Sequence, residues 1–325
     1  MRRRNALGLA AVTALSAVGL AACSGSRAGE GGEGAGQSIA VVAKGYASPF
    51  WTTVKAGAEA AGKDLGYQVS FNGPDSETDV PRQNDQLQQA LVKHPAALVF
   101  ASLDSQAQAT VLQQFAEASI PVIAFDSGVP GSDIPVTTVA TDNKAAAAQA
   151  AEHLSELLGG KGKVAIVCNS QTSVTGQDRE QGFRSWLADN APDIQVVDVQ
   201  YNNSDQAVAQ QQAAAILQAH PDLAGIFATD DDGAVAAAQA AQTAAMTDTV
   251  TIVGFDSGKP QMDLVTAGTI AGSITQNPYE MGYQAVVAAD KVLKGQSVES
   301  FIDSGFYWYD AENLDDEDIQ KAVYE

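Results

Sequence analysis

The chain has 325 residues, of which 45% are hydrophobic and 18% are charged. This composition is ordinary for a soluble globular protein, and the length is sufficient for two domains with full cores. The formal net charge of −21 argues against a nucleic-acid-binding protein, because such proteins need a basic surface.

The N-terminal residues have the pattern of an export signal. Three arginines follow Met1, an apolar stretch follows them, and Leu20-Ala-Ala-Cys23 supplies small residues before a cleavage point. The apolar stretch is shorter than the roughly 20 residues that span a membrane. Residues 1–22 are therefore predicted to be a signal peptide, exported by the general or the twin-arginine route.

The segment after the signal peptide is predicted to connect the protein to a membrane. Leu-Ala-Ala-Cys resembles the bacterial lipobox, which implies that Cys23 carries the lipid and becomes the new N-terminus. Two or more acyl chains on one residue anchor a protein stably. Residues 23–37 are rich in glycine, serine and glutamate and are predicted to be a flexible tether.

The first half of the remaining chain alternates predicted strands and helices. The apolar run Ile39–Ala43 predicts a strand, Phe50–Leu65 predicts a helix with one apolar stripe, and Tyr67–Phe71 predicts an alternating strand. Helices near 80–92 and 106–118 each lead to an apolar strand, and an extended segment covers 137–142.

The second half begins with a predicted helix and continues with the same alternation. The predicted elements after residue 142 are, in order, helix 144–158, strand 163–169, helix 177–189, strand 194–201, helix 205–219, two apolar strands, a short helix, strand 271–276, helix 278–293 and an extended stretch 301–309. The acidic residues 310–325 are predicted to be solvated surface or a weak helix. This alternation indicates an α/β protein with parallel sheets covered by helices on both faces.

Four of the apolar strands lead to an aspartate. They are Leu98–Asp104, Val122–Asp126, Gly225–Asp230 and Val250–Asp256. A His-Pro pair stands ten positions before both Asp104 and Asp230 (104 − 94 and 230 − 220), so the two halves are similar. Ligands of open α/β sheets bind at the carboxyl ends of strands, which predicts one acidic, hydrogen-bond-accepting pocket. Each aspartate alone is equally explained as a helix cap or a turn residue.

Motifs for catalysis and metal binding are missing from the sequence. Cys168 lies in a strand pattern and is predicted to be a buried, inert thiol. The three histidines are scattered and lack the spacing of a zinc site. The chain has no phosphate-binding loop and no Gly-x-Ser-x-Gly nucleophile motif. We therefore expect no catalytic residues, no metal and no cofactor.

Several short stretches together resemble the type I periplasmic sugar-binding proteins of the ribose- and galactose-binding group, which are substrate receptors of ABC importers. These stretches are Tyr46–Trp51, Phe125–Gly128, Ala140–Asn143, Asp178–Phe183, Phe227–Asp231, Val253–Asp256 and Thr275–Pro278. The resemblance implies two doubly wound parallel-sheet lobes that are joined by three crossovers and close on a ligand by a hinge motion. The N-terminal lobe would contain residues 38–141 and 277–304, and the C-terminal lobe would contain residues 142–276 and 305–325.

The same resemblance implies a role for individual side chains in the cleft between the lobes. Phe50 and Trp51 match a ring pair that sandwiches a sugar, and Ser48 matches a polar position before them. Asp126 and Asp256 match carboxylates that accept hydrogen bonds from sugar hydroxyls.

Three further positions complete the implied site. Arg179 matches a pocket arginine, Gln276 matches a glutamine at a crossover, and Asp230 matches a position that is usually asparagine. Asp104 is a further candidate acceptor from the strand-end pattern. The alternatives are that Phe50 and Trp51 are core residues and that Arg179 forms a surface salt bridge.

The chain departs from the family pattern at two positions, and both departures make the pocket more acidic. Ser127 stands where the family often has arginine, and Asp230 replaces the usual asparagine. Lys44, at the end of the first strand, is predicted to be a solvated residue at the rim, and the alternative is that it restores a positive charge to the pocket. An excess of acceptors favours a neutral, hydroxyl-rich ligand, which is a pentose, a hexose or a sugar alcohol, and disfavours sugar acids and sugar phosphates.

The predicted function is that of a monomeric, lipid-anchored binding protein outside the cytoplasm. It would capture a small neutral carbohydrate and deliver it to an ABC permease. A carbohydrate-sensing receptor component and a glycoside-processing enzyme are the alternatives, since paired carboxylates also serve glycoside hydrolysis. The lactose-repressor family shares the two-lobe fold but needs an N-terminal DNA-binding module, where this chain has an export signal.

Overall fold

The computed structural model describes residues 37–324. The predicted signal peptide, Cys23 and the predicted tether up to residue 36 lie outside this range. Within it, no helix combines the length and the apolar character that crossing a membrane requires.

Two six-stranded sheets form the framework of the protein. The first sheet has the order β2 (Gln68–Asn72), β1 (Ser38–Val42), β3 (Ala97–Phe100), β4 (Val122–Phe125), β5 (Pro135–Ala140), β11 (Phe301–Asp303). The second sheet has the order β7 (Ile194–Tyr201), β6 (Gly162–Cys168), β8 (Leu223–Ala228), β9 (Thr251–Phe255), β10 (Gly272–Gln276), β12 (Phe306–Tyr309). Every pair of neighbouring strands is parallel except β10 and β12, which are antiparallel.

Ten helices cover these sheets in the described part of the chain. They are α1 (Pro49–Leu65), α2 (Val80–Val92), α3 (Ala109–Glu117), α4 (Asn143–Leu158), α5 (Val174–Asn190), α6 (Gln206–Ala219), α7 (Asp231–Thr243), α8 (Lys259–Thr266), α9 (Pro278–Leu293) and α10 (Glu317–Ala322). The two sheets have the same strand order, so the predicted similarity of the halves extends to their topology, and the predicted α/β fold class is confirmed.

The first sheet with α1, α2, α3 and α9 is called lobe 1, and the second sheet with the other helices is called lobe 2. Helix α9 belongs to lobe 1 because it packs against α1 and β4. The chain passes between the sheets after β5, after β10, and again between β11 and β12. The residue boundaries of the lobes given above stay a prediction.

Both faces of each sheet are covered by apolar side chains. Along β1, Ile39 and Val41 belong to one buried cluster, whereas Ala40 and Val42 belong to another on the opposite face. Lobe 2 has the same two-sided core. Strands that are buried on both faces are apolar without alternation, which explains the continuous apolar runs in the sequence.

Local signals fix where the first helix begins and ends. The backbone N–H of Trp51 donates to Ser48 Oγ at 3.4 Å, and Pro49 occupies the first helical position. Gly66 ends the helix with a φ of 83°, a conformation that glycine adopts without strain. The apolar stripe of the helix faces the core, so the predicted helix is confirmed.

Helix boundaries and one helix differ from the sequence predictions. Helix α5 begins three residues earlier than predicted, because Ser173 caps it by accepting from the N–H of Gly176. Helix α3 begins later, at Ala109, because the preceding residues form a turn. Helix α7 was not predicted, since its residues are buried around most of its circumference and therefore give no amphipathic stripe.

The segment after β12 combines exposed acidic residues with a short helix. Residues 310–324 contain the short helix α10, in which Ile319 and Ala322 are buried, and Tyr324 is buried beyond it. The predicted weak helix is confirmed by α10, and its acidic residues Glu317 and Asp318 are exposed as predicted. The burial of Ile319, Ala322 and Tyr324 was not predicted.

Candidate functional site

A cleft between the two lobes contains a cavity of about 90 Å³. Eight of the nine predicted ligand-binding residues line it: Ser48, Phe50, Trp51, Asp126, Arg179, Asp230, Asp256 and Gln276. Lobe 1 and lobe 2 both contribute, at the loops that follow their strands. The structure therefore brings together residues that are far apart in the sequence.

Asp104 is the predicted residue that does not line this cleft. Its Oδ1 accepts hydrogen bonds from the backbone N–H groups of Gln106 and Ala107, both at 3.0 Å. Asp104 thus forms the turn before α3, which is the ordinary role of an aspartate after a strand. Asp104 does not line the cleft, and its assignment as a ligand contact stays a prediction.

Asp126 and Asp256 occupy equivalent places in the two lobes. Each belongs to a Phe-Asp-Ser-Gly tetrapeptide, and each follows the fourth strand of its sheet. Their φ angles are 54° and 76°, in the left-handed region that costs energy for residues other than glycine. Their N–H groups donate to Val139 O at 2.9 Å and Ile274 O at 2.6 Å, which hold this turn in place. Strained backbone held in this way is typical of functional sites.

Lys44 pairs with Asp126 inside the cleft. Its Nζ lies 2.8 Å from Asp126 Oδ2 and 3.8 Å from Glu77 Oε2, and the side chain is buried. Burial alone would lower the pKa of Lys44, but the charges of Asp126 and Glu77 raise it above its usual value. The prediction of a solvated rim lysine was wrong, because Asp126 compensates the burial of this charge.

Arg179 provides a second buried cation. Its Nε donates to Asn143 Oδ1 and its Nη1 donates to Thr229 O, both at 2.7 Å. The guanidinium also lies 3.7 Å from the centre of the Phe255 ring and 3.7 Å from Asp256 Oδ2. These contacts exclude the alternative of a surface salt bridge and fix the side chain beside Asp256.

Gln276 connects Asp256 to the crossover region. Its Nε2 donates to Asp256 Oδ1 at 2.6 Å, and its Oε1 accepts from Thr141 Oγ1 at 3.0 Å. Burial raises the pKa of Asp256, an effect that the Arg179 charge and the Gln276 hydrogen bond oppose. The carboxylate is therefore held by one charged and one neutral partner.

Asp230 combines a structural contact with a place in the cleft. Its Oδ1 accepts from Gly233 N–H at 3.0 Å and so caps α7, whereas its Oδ2 has no hydrogen-bond partner in the described part of the chain. Burial raises the pKa of Asp230 to about 7, and the charges of Asp232 and Asp256 add to this effect. Near neutral pH this carboxyl group can accept or donate a hydrogen bond.

The aromatic pair is arranged differently from the prediction. The Phe50 and Trp51 ring centres are 4.8 Å apart and the rings are inclined at 88°, so a sugar cannot insert between them. Trp51 is 2% exposed, and its Nε1 donates to Glu77 Oε1 at 2.7 Å. Trp51 therefore serves the core and the cleft wall at once, and each ring faces the cleft separately.

Several residues of the cleft were not predicted from the sequence. They are Glu77, Asn169, Thr175, Ser204, Asp231, Asp232 and Tyr324. Asp231 and Asp232 form the first turn of the helix that Asp230 caps. The prediction of Asp230 as a cleft residue could therefore have been extended to these two neighbours. Tyr324 gave no such signal, because it lies in the acidic segment beyond the last strand.

The charges of the cleft are unequal in number. Two cations, Lys44 and Arg179, face six carboxyl groups, those of Glu77, Asp126, Asp230, Asp231, Asp232 and Asp256. Among residues 37–324, no group of three or more histidine, cysteine, aspartate or glutamate side chains is arranged to hold a metal ion. The cleft therefore offers a ligand many oriented hydrogen-bond acceptors and two positively charged hydrogen-bond donors.

Known proteins resemble the chain over most of its length. Residues 39–297 match the family described as periplasmic binding protein domain. The ribose import binding protein of Salmonella typhimurium is 30% identical over 263 residues, which are 81% of this chain and 87% of that protein.

Solved structures give the same result. An ABC transporter solute-binding protein from Agrobacterium vitis with bound D-fucose has a TM-score of 0.84 and 30% identity, covering 88% of this chain and 100% of that one. A second such protein from Agrobacterium vitis, bound with α-D-tagatopyranose, has a TM-score of 0.85 and 31% identity, covering 89% and 99%.

Proposed function

The chain belongs to the periplasmic binding protein family, and we propose that it captures a small neutral carbohydrate in the cleft and delivers it to an ABC importer. The ligand would be a pentose, a hexose or a sugar alcohol. As a member of this family the chain is a binding protein rather than an enzyme, and it acts outside the cytoplasm. The similarity to proteins that bind ribose, D-fucose and tagatose supports the choice of a carbohydrate.

The observation that carries the proposal is the matched pair of strand-end carboxylates. Asp126 of lobe 1 and Asp256 of lobe 2 line one cleft, and each lies beside a buried cation. A carboxylate accepts charge-assisted hydrogen bonds from hydroxyl groups, and its two oxygens suit neighbouring hydroxyls of a sugar. Arg179 and Gln276 add donors toward ring and hydroxyl oxygens. Ser48, Phe50, Trp51 and Asp230 complete the proposed contacts.

The charge of the cleft supports a neutral ligand. Lys44 and Arg179 are engaged by Asp126 and Asp256, which leaves the remaining carboxyl groups to repel a sugar acid or a sugar phosphate. Burial raises the pKa of Asp230 and of Asp232, and neighbouring carboxylates add to this effect. A ligand with hydroxyl groups and no charge fits this balance.

The proposed location includes a lipid anchor. Cys23 would be acylated after removal of residues 1–22, and residues 23–37 would connect the anchor to the folded part, with the protein working as a monomer beside its permease. Support comes from the sequence pattern Leu20-Ala-Ala-Cys23. Metabolic labelling with an alkynyl fatty acid should modify the protein but not Cys23→Ala, and equal labelling of both would contradict the anchor.

A ligand screen tests the binding function. Thermal-shift measurements with pentoses, hexoses and polyols should identify at least one sugar that raises the melting temperature, since a ligand stabilises the state it binds. Calorimetry with that sugar should then show a loss of affinity of about 10- to 100-fold for Asp256→Asn, because charge-assisted hydrogen bonds contribute about 1.5–3 kcal/mol. Asparagine tolerates the left-handed backbone at this position.

A matched variant shows the effect of removing one negative charge outside the cleft. Asp248 is exposed on lobe 2, and Asp248→Asn should bind the sugar as the wild type does. The proposal fails if no carbohydrate raises the melting temperature, or if Asp256→Asn retains the wild-type affinity.

A further inference from the structure

Tyr324 lines the cleft from a segment that contains no other cleft residue. Its side chain is 4% exposed, and it lines the cleft together with Phe50 and Gln276. The ring centre of Tyr324 lies 5.6 Å from that of Phe50, and the two rings are inclined at 74°. This is a favourable edge-to-face contact between aromatic rings.

Tyr324 is held in place by lobe 2. The N–H of Ser257 donates to the Tyr324 hydroxyl oxygen at 3.3 Å, directly after Asp256 in the chain. Two residues earlier, Thr275 Oγ1 donates to Ala322 O at 3.4 Å, and α10 packs against β10 and β12. These contacts of the backbone, of α10 and of the hydroxyl group hold the Tyr324 ring in a defined position at the cleft.

The contact with Phe50 joins the two lobes inside the cleft. Phe50 belongs to the first turn of α1 in lobe 1 and contacts Trp51. A row of three rings therefore runs from lobe 1 to lobe 2, in the order Trp51, Phe50, Tyr324. A buried aromatic side chain covers about 150–250 Å² of surface, so the ring of Tyr324 closes this end of the cleft wall against Phe50.

We propose that Tyr324 is a specificity-determining residue whose ring limits the cleft to sugars with a single ring. The proposal rests on the carbohydrate-binding function proposed above. The Tyr324 ring would exclude larger ligands sterically. It would also present an aromatic surface to the apolar face of a monosaccharide. The hydroxyl group accepts from Ser257 and keeps its own proton, since burial and the charges of Asp256 and Asp231 raise the pKa of Tyr324.

Calorimetry with two groups of sugars tests this role. The probes are the monosaccharides D-ribose, D-galactose and D-fucose and the disaccharides lactose and maltose. Tyr324→Ala should raise the ratio of disaccharide to monosaccharide affinity at least tenfold. Tyr324→Phe keeps the ring and should preserve the preference for monosaccharides, although its affinity falls because Ser257 N–H loses its acceptor.

A purely structural role would give a different result. In that case Tyr324→Ala would weaken the binding of all five sugars by the same factor, and an unchanged ratio overturns the proposal. If circular dichroism shows that Tyr324→Ala does not fold, Tyr324→Leu retains apolar contact with lobe 2 without the ring, and the same change in ratio is expected. Tyr307 is partly exposed on β12, and Tyr307→Ala is the matched control, with no change in ratio.

A second measurement needs no sugar and separates this proposal from the binding function. In a Trp186→Phe, Trp308→Phe background, Trp51 is the remaining tryptophan of the chain. Removing the Tyr324 ring exposes Phe50 and, behind it, Trp51. Tyr324→Ala should therefore raise the acrylamide quenching constant of Trp51 at least twofold, and an unchanged constant overturns the proposed wall whether or not any sugar binds.

Discussion

At the scale of single residues, the cleft is defined by buried charges that compensate one another. Lys44 with Asp126 and Arg179 with Asp256 form one such pair in each lobe. The positions of the carboxylates were predictable, because strand ends are visible as the ends of apolar runs. The role of Lys44 was not, since its sequence position does not tell whether a carboxylate from another strand lies within reach.

The pairing of Lys44 leads to a prediction about stability. Lys44→Met should lower the free energy of unfolding by about 3–5 kcal/mol, because Asp126 is left as a buried, uncompensated charge. Urea unfolding measures this. The double variant Lys44→Met/Asp126→Asn removes both charges and should recover most of the loss. A double variant as unstable as the single one would contradict the pairing.

Asp230 leads to a prediction about pH. Its pKa is about 7 in the folded protein, against an ordinary value of 3.8. The folded state therefore holds a proton that the unfolded chain has lost, and the resulting stabilisation is complete below about pH 4 and is lost as the pH rises through 7. Asp230→Asn removes this dependence but keeps an oxygen to cap α7.

The comparison of the two proteins gives the test. The free energy of unfolding of Asp230→Asn, relative to wild type, should increase between pH 4 and pH 7 by an amount on the order of a few kcal/mol and then level off. Asp231, Asp232 and Asp256 face the same region and titrate in both proteins. Urea unfolding at four pH values measures the difference, and a difference independent of pH would show that Asp230 does not hold the proton.

At the scale of elements, most strands and helices were predictable because their residues carry the local signal. Apolar runs gave the strands, and α1 has its cap, its stripe and its terminal glycine in the sequence. Helix α7 and the burial of Tyr324 were not predictable in this way. The first is buried on most sides and has no stripe, and the second results from contacts with β10, β12 and Phe50, which are distant in the sequence.

The close packing of α1 against α9 depends on two glycines at the contact between the helices. A Cβ atom at Gly57 would overlap the carbonyl oxygen of Tyr279, and a Cβ atom at Gly282 would overlap that of Val54. Gly57→Ala should therefore destabilise the protein by about 1–3 kcal/mol through overpacking, although alanine favours a helix by about 1 kcal/mol over glycine. Lys63→Ala, at an exposed position of the same helix, should change stability little. Thermal unfolding of both variants measures these effects. If Gly57→Ala is more stable than the wild type, α1 and α9 can move apart to accommodate the methyl group without loss of stability.

At the scale of the whole molecule, the described structure has its lobes in contact across the cleft. Lys44 Nζ of lobe 1 lies 3.4 Å from Thr175 Oγ1 of lobe 2, and Phe50 meets Tyr324. The two-lobe architecture was predictable from the repeated pattern and the family resemblance. The contacts across the cleft were not, because they depend on the relative placement of two separately folded sheets.

This architecture predicts that ligand binding closes the molecule. In an open form, water would solvate Asp126 and Asp256, whereas a bound sugar replaces that water by hydrogen bonds from both lobes and so favours the closed form. Small-angle X-ray scattering should show a smaller radius of gyration when the sugar with the largest thermal shift is added. Asp256→Asn at the same sugar concentration should contract less, because lobe 2 has lost part of its hold on the ligand. An equal radius with and without sugar, at a concentration where calorimetry shows saturation, would mean that the lobes are already closed and that binding selects no new arrangement of them.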